Sequence, residues 1–168
     1  YLYFEQLISG DYGHLTSSTR DHNWLYSVYP GFVLLQKREI NPPYLYQIGF
    51  PQTAHSWMPF ILADPVDPDV FYFCGDRIWR YERQEYGYTY SMTPLSQEFT
   101  GSSYSTALAI SPADPDYWYV ATNNGRLWHS HDGGQTWSQS ARPPNSHHFY
   151  PPALAASPTD PHVPCLPR

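Results

Sequence analysis

Ser130-His131-Asp132-Gly133-Gly134-Gln135-Thr136-Trp137 has the composition of a hairpin that closes itself. A short carboxylate or hydroxyl can accept hydrogen bonds from backbone N–H groups two or three residues further on and so fold a turn from within. Asp132 is placed to do this, with Ser130 two residues earlier on the same side of the strand. Gly133 and Gly134 supply the positive φ that such a turn needs. Trp137 then returns a large apolar surface to the flank of the hairpin. Taken alone, the same residues also fit an ordinary Asp-Gly-Gly hairpin with a tryptophan nearby, so the surrounding sequence has to decide.

It does so by repeating. Asp114-Pro115-Asp116-Tyr117-Trp118-Tyr119-Val120 is matched by Asp67-Pro68-Asp69-Val70-Phe71-Tyr72-Phe73, and that in turn by Asp21-His22-Asn23-Trp24-Leu25-Tyr26-Ser27. Asp160-Pro161-His162-Val163 begins a fourth copy, and the spacing is about 46 residues throughout. The apolar lead-in recurs as Pro59–Ala63, Ala107–Ile110 and Ala153–Ala156, and Arg77-Ile78-Trp79-Arg80 is answered by Arg126-Leu127-Trp128-His129. Within the best copy the pattern predicts four short strands over Ser105–Ser111, Tyr117–Thr122, Arg126–Ser130 and Thr136–Ser140. The Pro-rich Ser-Pro-Ala-Asp-Pro-Asp link separates the first two strands, and no segment carries a helical period. The expectation is all-β: a β-propeller segment of four-stranded antiparallel blades, about three and a half repeats. The repeats run approximately over 14–58, 59–104 and 105–152, with another starting at 153–168, all within one domain spanning residues 1–168.

The pattern Ser-x-Asp-x-Gly-x-Thr-Trp resembles the Asp-box of bacterial-neuraminidase-type repeats, with Ser130, Asp132, Gly134, Thr136 and Trp137 as its structural residues. The middle copy departs from it: Tyr81 stands for Ser130, Arg83 for Asp132 and Thr89-Tyr90 for Thr136-Trp137. The first copy lacks the box, with Lys37–Pro43 in that region. The resemblance implies a propeller related to those of sialidases, xyloglucan-active endoglucanases, sortilin-type receptors or photosystem-assembly factors. It also implies an extracellular or periplasmic location, and a substrate side on the face opposite the boxes.

Composition narrows the function classes. The net charge of −6 argues against binding nucleic acid, which needs clustered Lys and Arg. Nothing approaches the run of about 20 apolar residues that spans a membrane. Cys74 replaces a strand residue and reads as a buried thiol, with a disulfide to Cys165 as the alternative. No metal or cofactor is expected. Propellers close with roughly four to eight blades, so three readings of the ring stand open. The chain is part of a larger propeller, several copies form a homo-oligomeric ring, or the termini pair to close a minimal one.

Strand order directs the search for a site. The turns between strands one and two and between three and four share one face, here called the first. The turns between strands two and three and the connectors from strand four to the next blade share the second. The second-face connectors Asn41–Met58, Ser91–Tyr104 and Arg142–Pro152 are rich in rings and amides. Flat rings offer apolar faces to sugars while Asn, Gln and His supply hydrogen bonds, although the same rings could simply pack between blades. Trp57, Tyr104, His147, His148, Phe149 and Tyr150 are the candidate ligand contacts. Glycoside hydrolysis needs two carboxylates across the sugar. Asp64, Asp67, Asp69, Asp114 and Asp116 mostly recur with the repeat, as turn chemistry predicts, and only Asp76 and Glu98 fall on the second face. His129, His131, His147 and His148 lack the spacing that completes a metal site, and no Gly-x-Ser-x-Gly elbow is present. The leading reading is a noncatalytic glycan- or protein-binding module or scaffold. The alternative is a fragment of a glycoside hydrolase whose catalytic acids lie mostly in other blades.

Overall fold

The computed structural model describes residues 13–20, 23–37, 44–84, 89–99, 103–140 and 154–165. These form a β-propeller segment with no helix among them. The first blade comprises β1 (Leu15–Ser17), β2 (Trp24–Tyr29), β3 (Phe32–Lys37) and β4 (Tyr44–Gly49). The second comprises β5 (Ile61–Ala63), β6 (Val70–Cys74), β7 (Ile78–Arg83) and β8 (Tyr90–Pro94). The third comprises β9 (Ser105–Ile110), β10 (Trp118–Thr122), β11 (Leu127–Ser130) and β12 (Ser138–Gln139). Each is a four-stranded antiparallel meander whose spatial order follows the chain. A two-stranded sheet, β13 (Ala155–Ala156) with β14 (Pro164–Cys165), starts a fourth blade.

The second strand of a blade is buried on both sides, and its side-chain alternation joins the blades. In β6, Phe71 and Phe73 pack toward the first blade, against Trp24, Tyr26, Val28, Val33 and Leu35. Val70, Tyr72 and Cys74 point the other way, toward Leu108, Trp118 and Val120 of the third blade. β10 repeats the arrangement, with Trp118 and Val120 in that second seam and Tyr119 and Ala121 in the third. A strand with a period of two residues thus supplies two cores at once. The first seam stacks Tyr26 on Phe71 at 4.7 Å and Phe71 on Tyr81 at 4.7 Å. Each such fully buried aromatic contributes roughly 1.5–3 kcal/mol of transfer free energy. Among the described residues the third seam is built from Ala107, Ala109, Ala121, Tyr119, Leu127 and Leu154.

Inner strands hold the blades side by side. The Ala63 N–H donates to Thr16 Oγ1 at 3.2 Å, and Thr19 Oγ1 donates to the Asp64 carbonyl, tying β1 to the start of the second blade. Ser105 anchors the third blade by donating through both N–H and Oγ to the Gly75 carbonyl, each at 2.8 Å.

The connections from strand one to strand two show why the aspartates recur. Asp64 Oδ1 accepts from the N–H groups of Val66 and Asp67, both at 2.7 Å. Ser111 Oγ accepts in the same way from Ala113 and Asp114, and Ser157 Oγ from Thr159 and Asp160. One step later Asp67, Asp114 and Asp160 each accept from the N–H two residues on. The repeat is therefore a repeat of turn chemistry. Asp64 also accepts from the Tyr72 hydroxyl, whose pKa is raised by burial first and by this carboxylate second.

Cys74 and Cys165 are both free thiols. Cys74 is fully buried in the second seam, and burial pushes its thiol up to about 12. A group so rarely ionised has little nucleophilic character.

Candidate functional site

On the second face, the connector after β4 is pinned from below and leaves one ring outside. Phe50 meets the Phe73 ring at 5.1 Å, and His55 packs edge-on against Phe50 at 5.0 Å and Phe73 at 5.8 Å. The chain then passes so close to the β6–β7 turn that a Cβ on Gly75 would lie 2.8 Å from Thr53 Cγ2 and 3.2 Å from the Ala54 carbonyl oxygen. Ser56 Oγ donates to the Met58 carbonyl at 2.6 Å and closes the next turn. Between these anchors Trp57 is 71% exposed, whereas Trp24, Trp118, Trp128 and Trp137 are each 8% exposed or less. Trp79 is half-buried. All six tryptophans of the chain fall among the described residues, and Trp57 is the one presented to solvent.

The connector after β8 contributes differently. Phe99 is 2% exposed and sits between Trp128 and Trp137, at 5.6 Å from each. Phe50, His55 and Phe99 are therefore packing rings. Tyr104 is half-buried, and its backbone is clamped to the β10–β11 turn. The Tyr104 N–H donates to Asn123 Oδ1 at 3.1 Å, and the Asn123 N–H donates back to the Tyr104 carbonyl at 3.0 Å. Asn124 Nδ2 donates to Ser103 Oγ at 2.6 Å, and Gly125 turns the chain with φ of 76°. Trp57 and Tyr104 thus stand on connectors of successive blades. His147, His148, Phe149 and Tyr150 lie outside the described residues.

The two second-face acids converge on one cation. Arg77 contacts Asp76 Oδ1 at 3.3 Å, donates to Glu98 Oε1, and lies 5.7 Å from the Trp79 ring centroid. Both carboxylates are engaged by the one guanidinium. Nothing in the spacing of Asp76 and Glu98 announces that they share Arg77. The signal was the recurrence of Arg77 and Arg126, but Glu98 is 21 residues away and joins only by folding. Arg126 donates to the Gln139 side chain at 3.0 Å.

The first face holds the Ser130–Trp137 turn. Asp132 Oδ1 accepts from the N–H groups of Gln135 at 3.1 Å and Thr136 at 2.9 Å, while Asp132 Oδ2 accepts from Thr136 Oγ1 at 2.5 Å. Ser130 Oγ donates to Asp132 Oδ1 at 2.7 Å and accepts from the Gly134 N–H at 3.0 Å. These bonds, those from Thr136 foremost, hold the Asp132 carboxyl down at about 2. Gly133 and Gly134 take φ of 68° and 84°. A Cβ on Gly134 would lie 3.0 Å from Trp118 and 3.3 Å from Leu95. Trp137 is 8% exposed and donates from Nε1 to the Gly134 carbonyl at 2.7 Å. The structure brings Ser130, Asp132, Gly134, Thr136 and Trp137 into one closed unit.

His129 in β11 and His131 just after it have ring centroids 5.0 Å apart. Among the described residues no three His, Cys, Asp or Glu side chains are arranged to hold a metal ion. No helix among them is long and apolar enough to cross a membrane. No protein-family model matches the chain, and no curated protein matches it.

Proposed function

We propose that this chain is a noncatalytic propeller segment of the Asp-box kind, binding a glycan or protein on its second face with Trp57 as the principal contact. The observation that carries the reading is a 71% exposed tryptophan on a connector whose other rings are anchored in the first seam. A flat ring held out by a braced connector loses little freedom when a sugar stacks on it. Tyr104 is the second contact, on the next connector, and His147, His148, Phe149 and Tyr150 are candidates on the one after. The self-closing bonds around Ser130 and Asp132 support the Asp-box assignment.

Engagement of Asp76 and Glu98 by Arg77 supports a binding role over hydrolysis. It also favours an uncharged ligand, since an incoming carboxylate would have to displace acids already seated on that cation. The protein is read as exported to the periplasm or beyond, and its ring as completed by further blades of a longer chain or by other copies.

The test is affinity electrophoresis of the chain in soluble xyloglucan and in mannan, repeated with Trp57→Ala. Retardation should fall by about tenfold or more in affinity for the variant, the loss of roughly 1.4 kcal/mol expected for one stacked ring. Equal retardation of both proteins would remove Trp57 from the site. Release of reducing ends from xyloglucan would replace the binding reading with a hydrolytic one.

A further inference from the structure

Three imidazoles and a phenol meet on the first face, where the third and fourth blades join. His131 stacks on Tyr117 with centroids 4.6 Å apart and planes 29° apart. His162, from the turn between β13 and β14, meets Tyr117 edge-on at 4.9 Å and His131 at 6.4 Å. His129 lies 5.0 Å from His131, and its Nδ1 shares a hydrogen bond with Ser140 Oγ at 2.8 Å. At the corresponding places of β7 the second blade has Arg80 and Glu82, an oppositely charged pair in contact. The third blade puts two titratable rings where its neighbour keeps opposite fixed charges.

This cluster lies beside the third seam. Among the described residues alanine supplies three of the six buried side chains of the third seam, where the other two seams are built largely from aromatic and branched side chains. Among the described residues the β13–β14 turn is also docked by the Tyr119 hydroxyl, which donates to the Pro161 carbonyl, and by the contacts of His162.

We propose that His129, His131 and His162 make the joint between the third and fourth blades acid-sensitive, docking the fourth-blade turn when neutral and releasing it when protonated. Several charged or titratable groups surround the rings. Asp132 is committed to Thr136, Gln135 and Ser130, and Asp160 to the His162 N–H. Asp116, on the β9–β10 connection, is exposed, as is Asp160, so water screens their attraction for a protonated ring. The Tyr119 hydroxyl, raised by burial and then by Asp160, stays neutral. Burial, and then the charge of His131, lower the pKa of His129 from 6.5. A folded-state pKa below the unfolded one gives full stability above 6.5 and a loss as pH falls beneath it.

Hydrogen exchange of the 168-residue chain, corrected for intrinsic rates, tests this between about pH 7.5 and 5.5. Amides of residues 154–165 should lose about tenfold in protection, while those of 61–83 hold theirs. The triple variant His129→Gln, His131→Gln, His162→Gln should remove the difference. In NMR titration His129 should titrate below 6.5 and move up toward it in His131→Gln alone. Protection that is equal at both pH values, or a pH dependence that survives in the triple variant, overturns the proposal. If the triple variant does not fold, an unmoved His129 titration in His131→Gln overturns it instead.

Discussion

The hairpins β7–β8 and β11–β12 occupy the same place in successive blades and solve it with opposite charges. In β11–β12, Asp132 folds its carboxylate back onto the amides of Gln135 and Thr136. In β7–β8, Arg83 stands at that position and cannot accept a hydrogen bond. It pairs instead with Asp69 of its own blade and lies 4.7 Å over the Trp24 ring of the blade before. What the two share is backbone: the Arg83 N–H donates to the Asp69 carbonyl at 2.8 Å, as the Gly133 N–H does to that of Asp116 at 3.0 Å. They also share a ring in the seam, since Tyr90 meets Phe71 edge-on at 5.8 Å much as Trp137 meets Trp118 at 6.4 Å. The blade therefore depends on the ladder and the seam ring. The polar group at the tip is replaceable, and it can be used either to close the turn or to clamp the neighbouring blade.

The sharpest way to break this comparison is Gly134→Ala. The left-handed backbone and the close approach of Trp118 together predict a loss of about 3 kcal/mol, read by chemical denaturation. Gly31→Ala is its control, because Gly31 also has positive φ but no atom within 4 Å of the added Cβ. It should cost only about 1–2 kcal/mol. Next in size is Arg83→Ala, expected to cost about 1–2 kcal/mol through the Trp24 face and the Asp69 pair together. That loss should shrink in concentrated salt, since the ion pair is partly exposed. Asp132→Ala should cost about 1 kcal/mol, the scale of a lost cap, and change little with salt.

The pH dependence separates the hairpins further. The Asp132 carboxyl is held at about 2 against an ordinary 3.8, so its contribution is complete above 3.8 and lost as pH falls toward 2. Exchange protection of the β11–β12 turn should fall in that window in the wild type and be flat in Asp132→Ala. The smallest expected effect on stability belongs to Trp57→Ala, within about 0.5 kcal/mol, because the ring is outside the packed seams. A larger destabilisation would show that Trp57 braces the connector.

Much of this architecture is legible in the residues themselves. Periods of two within strands, prolines between them and a spacing of about 46 residues specify all-β blades, because each constraint acts within a few residues of its cause. The Asp64, Ser111 and Ser157 turns belong to the same class: a side-chain oxygen two or three positions from the amides it accepts is a local fact. The fate of the connector rings was not legible. Phe99, His55 and Trp57 look alike in sequence, yet two are packed in seams and one is exposed. Nor could spacing show that Arg77 joins Asp76 to Glu98, or that His162 would meet His131. The sequence by itself determined the strands, their turns and the face on which each turn lies, since these follow from backbone sterics and short-range hydrogen bonds. Which rings are buried, which acids are neutralised and which histidines meet was decided only when the blades stacked, because those contacts join residues that only packing brings together.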